Sequence, residues 1–113
     1  CLNQSLPRDQ YEVIVVDDSS TDNSKDILLD YKDEKNFKVI FNQENRGVGY
    51  AANKGSRSAR GKWIVRVDAD DYVHFEFLNF LLLFAESNKS KAVASDYVMV
   101  DFDENVLSRK NQE

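Results

Sequence analysis

The residues with most chemical content are Asp68, Asp70 and Asp71, which lie in the stretch Val65 to Tyr72 (VRVDADDY) at the end of a run that reads as a buried strand. Like charges within ~5 Å repel by about 1 kcal/mol in water and by several times that near a protein surface, so three carboxylates in four residues imply an offsetting cation. Carboxylate oxygens suit hard cations such as Mg²⁺ or Mn²⁺, and no Cys/His grouping points to zinc. Mg²⁺ often takes one or two protein carboxylates and completes its shell with phosphate and water. Taken as a bare Asp-x-Asp, the pattern fits a solvated turn capping the next helix better than a metal seat. A second acidic pair, Asp17 and Asp18, ends the run YEVIVV and opens the polar cluster DDSSTDNS. These side chains either cap a helix starting at Ser24 or accept hydrogen bonds from a base or ribose. His74 reads as a loop or helix-start residue, Trp63 as strand packing and Cys1 as an incidental thiol.

The elements that would position these acids alternate in type. Tyr11 to Val16 is short and β-branched, a strand running into a polar loop; a helix over Ser24 to Lys32 follows, with Ile27, Leu28 and Tyr31 on one face. A second strand, Phe37 to Phe41, leads through Asn42 to Gly47 into a helix over Val48 to Ala59. In that helix Ala51, Gly55 and Ala59 recur every fourth position, a stripe of small residues that lets a helix lie close against a sheet. Gly61 reads as its stop, and Trp63 to Val67 as a third strand. A helix over His74 to Ser87 has apolar residues on more than one face and is expected to be buried on several sides. A fourth strand, Ala92 to Val100, and a polar tail complete the chain. This β-α-β-α-β-α-β order implies an α/β layered fold with parallel neighbours. In such folds ligands bind outside the carboxyl ends of the strands, the rim on which both acidic clusters fall.

Length and composition set the bounds. The 113 residues suffice for one small domain or part of one, and 42% hydrophobic with 31% charged residues describes an ordinary folding chain. The longest apolar run, Phe80 to Ala85, is far short of the roughly 20 residues of a membrane span. A single cysteine fits a reducing compartment. The net charge of −5 argues against a nucleic-acid partner, although Arg46, Lys54, Arg57, Arg60, Lys62 and Arg66 form a basic stretch with no acid among them. That stretch reads as a solvated helix face or as the seat of an anion such as a diphosphate.

Taken together, VIVVDDSSTDNS (13–24), NRGVGYAANKGSRSARG (45–61) and WIVRVDADD (63–71) resemble the family 2 glycosyltransferases of the GT-A fold. The resemblance covers about residues 2–80 and lies in the order and spacing of the motifs. It implies a partial, Rossmann-like GT-A domain over residues 1–113 and transfer of a sugar, with inversion, from a nucleotide-diphosphate-sugar donor to a hydroxyl of a saccharide, lipid-linked or other acceptor. Carried over by position, Asp18 would contact the nucleobase, Asp68 the ribose or donor sugar, and Asp70 a bridging Mn²⁺ or Mg²⁺, with Asp71 a second metal contact. Cytoplasmic localisation is implied, with any membrane association residing in parts outside this chain. Ala52 stands where the family commonly has Arg, so an anion contact there is lost or taken over by Lys54 or Arg57, and Phe75 stands where Pro is usual.

Against the family pattern, the chain is expected to start after the first, central strand, within the helix that follows it, and to end before the half that holds the catalytic base and acceptor site. Two sheet edges would then be unpaired, and self-association or partial unfolding of this piece is expected. Two rival readings remain. Gly47 to Ala52 fits G-x-G-x-x-A, with Asp68 about 20 residues on, as in dinucleotide-binding oxidoreductases. Five residues separate the preceding strand from Gly47, however, where that turn is tight. The other rival is a noncatalytic module whose acids hold metal or nucleotide without turnover.

Overall fold

The computed structural model describes residues 1–101 and 103–110. It divides into two units, residues 1–76 and 77–113, each taken by itself. In the first unit, strand β1 (Val13–Asp17) and strand β2 (Phe37–Phe41) pair in parallel with Val13 opposite Phe37 and Asp17 opposite Phe41. Helix α1 (Ser24–Leu29) connects them, and helix α2 (Val48–Ser58) follows β2. The α/β alternation with parallel pairing is therefore present, and both strands finish at the same rim.

Local chemistry explains where these elements stop. Helix α1 is shorter than its apolar spacing predicts, because the backbone N–H groups of Asp30, Tyr31 and Lys32 donate to the carbonyls three residues back, a tightened end rather than a further α-turn. Helix α2 ends when Ala59 turns extended (φ −73°, ψ 142°), two residues before the glycine expected to stop it. The small-residue stripe works as expected. A Cβ placed on Gly55 would sit 3.3 Å from Cγ2 of Val16, so α2 lies on β1 at a distance a larger residue would oppose.

Residues 63–67 do not form the expected third strand. A strand is defined by a neighbour that takes its N–H and C=O groups, and no described strand pairs with this segment. Ile64 and Val65 are exposed accordingly. The first twelve residues are irregular rather than helical. They are tied to residues 74–76 by Ser5 N–H on the Phe75 carbonyl (2.9 Å), Ser5 Oγ on Glu76 (2.7 Å) and Gln4 Nε2 on the His74 carbonyl (3.1 Å). The Tyr11 hydroxyl closes the segment on the Leu2 carbonyl at 2.7 Å.

In the second unit, helix α3 (Phe77–Ser87) begins three residues later than expected. It is not buried on several sides: Ala85 is buried, while Phe80, Leu83 and Phe84 are exposed. Strand β3 (Tyr97–Val100) is shorter than the predicted 92–100 and pairs antiparallel with β4 (Val106–Lys110), so the expected polar tail contains a strand. Asp101 makes the turn by accepting from the N–H groups of Asp103 (3.0 Å) and Asn105 (2.9 Å). No helix among the described residues is long and apolar enough to cross a membrane.

Among the described residues Ala85 is the one buried apolar residue and β1 has a single strand neighbour. Residues 1–113 expressed alone are accordingly expected to associate or to unfold without a cooperative transition, read by size-exclusion chromatography and urea denaturation; a stable monomer with a sharp transition would contradict this. In the intact protein, Gly55→Val should cost about 1–3 kcal/mol of stability by overpacking against Val16, measured from urea midpoints; an unchanged midpoint would show that α2 can move away from β1.

Candidate functional site

The site is built at the rim from the end of β1 upward. Asp17 is buried, and its Oδ1 accepts from the backbone N–H of Ser20 at 2.7 Å, folding the chain back at the strand end. Ser19 takes φ 65° in that turn. The other Asp17 oxygen is buried without a partner.

Asp18 does not cap α1. That helix has Asn23 at its N-cap with no side-chain cap bond, and Ser24 N–H donates instead to Asp22 Oδ1 at 3.0 Å. The Asp18 carboxylate reaches across to the loop after β2. Its Oδ1 accepts from Asn42 Nδ2 at 2.7 Å, its Oδ2 accepts from Gly47 N–H at 2.6 Å, and both oxygens lie within 3.1 Å of Arg46 N–H. These donors favour the ionised form and hold its pKa below the ordinary aspartate value, with the Asn42 amide the largest cause and the Arg46 and Gly47 amides following the opposing effect of desolvation. Gly47 sits at φ 85°, a conformation open to glycine, and this directs its N–H at the carboxylate.

Asn42 was unremarkable in sequence, one polar residue among several after a strand. In the structure it is buried, and it joins two groups: while its Nδ2 donates to Asp18, its Oδ1 accepts from Lys54 Nζ at 2.6 Å. Arg46 and Lys54 also lie near the Tyr50 ring, 4.9 and 6.0 Å from its centroid. A cavity of about 280 Å³ opens beside this group, lined by Phe41, Asn42, Gln43, Glu44, Arg46, Tyr50 and Lys54.

The Asp-x-Asp stretch is arranged differently. Asp68 is about half exposed, and its Oδ1 accepts from Arg66 Nε at 2.9 Å and Nη2 at 2.7 Å, while its carbonyl accepts Asp71 N–H at 3.1 Å in a turn. Asp70 and Asp71 are exposed. Asp18 and Asp68 thus bond to different partners, and none of the four acids is among the residues lining the cavity. Among the described residues no three acids, histidines or cysteines are grouped to hold a metal ion. The basic stretch is partly neutralised: Arg46 pairs with Glu44, Arg60 with Glu12 and Arg66 with Asp68. His74 is a loop residue whose Nδ1 accepts from Glu76 N–H at 3.2 Å.

The glycosyl transferase family 2 model matches residues 1–113, the whole length. The chain belongs to that family. It is 42% identical to the poly(ribitol-phosphate) beta-glucosyltransferase of Bacillus spizizenii over 79% of this chain and 14% of that protein. It is 36% identical to the cholesterol galactosyltransferase of Borreliella burgdorferi over 89% of this chain and 26% of that one. The crystal structure of S. aureus TarS 1–349 in complex with UDP superposes with a TM-score of 0.71 at 33% identity, over 77% of this chain and 26% of that one. The chain therefore spans between 14% and 26% of the length of these relatives. The α/β order and parallel strands are those of a partial Rossmann-like GT-A fold. Family membership also decides against the dinucleotide-binding oxidoreductase.

The lowered pKa of Asp18 fixes the sign of a pH effect. A carboxylate with a depressed folded-state pKa contributes stability that is present above its unfolded value and lost as pH falls through the folded value. In the intact protein the difference in melting temperature between parent and Asp18→Asn should therefore narrow as pH falls from about 6 to about 3. A difference that stays constant over that range would show that Asp18 ionisation is not coupled to folding.

Proposed function

We propose that the protein carrying this chain transfers a sugar, with inversion, from a nucleotide-diphosphate-sugar donor to an acceptor hydroxyl, and that residues 1–113 form its nucleotide-sugar-binding portion. The observation that carries the reading is the likeness to the crystal structure of S. aureus TarS 1–349 in complex with UDP, over 77% of this chain at 33% identity. A UDP-linked donor is accordingly the first to test.

In this reading Asp18 contacts the nucleobase. Its carboxylate is an acceptor only when ionised, and the Asn42, Arg46 and Gly47 donors keep it so, which suits it to a base edge presenting an N–H. Asp68 contacts the ribose or donor sugar, and Asp70 holds Mn²⁺ or Mg²⁺ with Asp71 as a second contact. The donor set fits such a cation: the two carboxylates are hard oxygen ligands, both exposed, and two protein ligands suffice where diphosphate and water complete the shell. When bound, the cation supplies positive charge against the negative charge of the departing nucleoside diphosphate.

The acceptor is proposed to be a saccharide, a lipid-linked group or a cell-surface polymer. The relatives matched act, by their names, on partners as different as poly(ribitol phosphate) and cholesterol. Similarity shared with both over this chain fits donor binding better than acceptor choice. Catalysis is proposed on the cytoplasmic side.

A panel of nucleoside diphosphates titrated into the intact protein with and without Mn²⁺ tests the reading. UDP binding strengthened by Mn²⁺ is the expected result, with that strengthening abolished by Asp70→Asn. Unchanged metal-dependent affinity in Asp70→Asn would refute the metal assignment, and NAD binding without metal dependence would refute the donor class.

A further inference from the structure

We propose that Lys54 and Asn42 are positioning residues that orient the Asp18 carboxylate for its nucleotide. This rests on the reading of Asp18 as a nucleotide contact and names residues that act through it. The chain of bonds is continuous: Lys54 Nζ donates to Asn42 Oδ1 at 2.6 Å, and Asn42 Nδ2 donates to Asp18 Oδ1 at 2.7 Å.

An amide is polar at both ends, so its orientation carries information. Turned the other way, the Asn42 side chain would set its oxygen against the Asp18 carboxylate and its NH₂ against the Lys54 ammonium, two repulsive contacts in place of two attractive ones. Lys54 therefore fixes which way Asn42 faces. Asn42 is buried, with 5% of its surface exposed, so water cannot readily take over either bond. Gly47 and Arg46 N–H groups hold the Asp18 carboxylate from the loop side, and the Asn42 amide holds it from the end of β2. With the amide free to turn, the carboxylate would keep the loop contacts and lose the one that fixes its plane from the strand side.

The sequence places Lys54 on α2, 36 residues from Asp18, yet α2 lies against β1, with Gly55 next to Val16. The helix thus brings its lysine to the strand rim. The arrangement distinguishes the charged donor from its stem: the methylenes of Lys54 can be replaced by another unbranched side chain, whereas a positively charged N–H donor must be kept at its tip.

The test measures UDP affinity by calorimetry in the intact protein, with thermal unfolding in parallel. Lys54→Met, which keeps an unbranched stem, should weaken UDP binding about three- to tenfold, and Lys54→Arg should restore it to within about twofold. Asn42→Asp, which sets an acceptor against Asp18, should weaken it at least about tenfold. A merely structural role would lower the melting temperature of Lys54→Met without the selective rescue by arginine. Should Asn42→Asp fail to fold, the Lys54 pair decides. UDP affinity in Lys54→Met equal to that of the parent would overturn the relay alone. Failure of the parent to bind any of UDP, GDP, ADP or CDP would overturn the functional reading and the relay with it.

Discussion

The carboxylate of Asp18 is the point on which the rim of this domain depends. It stands at the end of β1 and takes hydrogen bonds from Asn42, just past the end of β2, and from Arg46 and Gly47, at the start of α2. One anion thereby ties together three elements that are separate in sequence. Such bonds to an ionised acceptor are stronger than neutral ones, and they explain features that otherwise look unrelated. Gly47 adopts its left-handed conformation where its N–H meets the carboxylate, Asn42 can be buried because both ends of its amide are used, and α2 starts where the loop has been drawn over β1.

The parts of the fold that were legible in the sequence are those decided by local pattern. The β-branched run before Asp17 and the short apolar run Phe37 to Phe41 are the parallel strands, and Gly55, in the small-residue stripe, lies where α2 meets β1. What was not legible depends on partners distant in sequence. Residues 63–67 have the composition of a strand, but composition supplies no neighbour, and the segment makes no ladder with the described strands. Val106 to Lys110 looked like tail, yet it forms a strand because Asp101 turns the chain back onto β3.

The same distinction applies to the site. The two acidic clusters were visible as unusual concentrations of charge, the first of them at the end of β1, and their order with the glycine-containing helix carried the family resemblance that the family match then established. The work that Asp18 does within the protein was not visible, since its partners lie 24 to 29 residues away and two of them are backbone groups. Asn42 could have been singled out only by a polar amide standing directly after an apolar strand, a weak signal. Its importance comes from burial and from Lys54, three helical turns' worth of sequence further on. The acids divide by setting: Asp18 is held by the fold, while Asp70 and Asp71 face solvent and are open to a ligand.

The most direct measurement is an amide NMR titration of the isotopically labelled intact protein with UDP, first with Mg²⁺ and then with paramagnetic Mn²⁺. The account predicts shifts at Asp18, Asn42 and Gly47 on adding UDP with Mg²⁺, and selective broadening at Asp70 and Asp71 once Mn²⁺ replaces it. Shifts confined to the opposite ends of β1 and β2, around Glu12 and Asn36, with Asp18 and Gly47 unmoved, would contradict it.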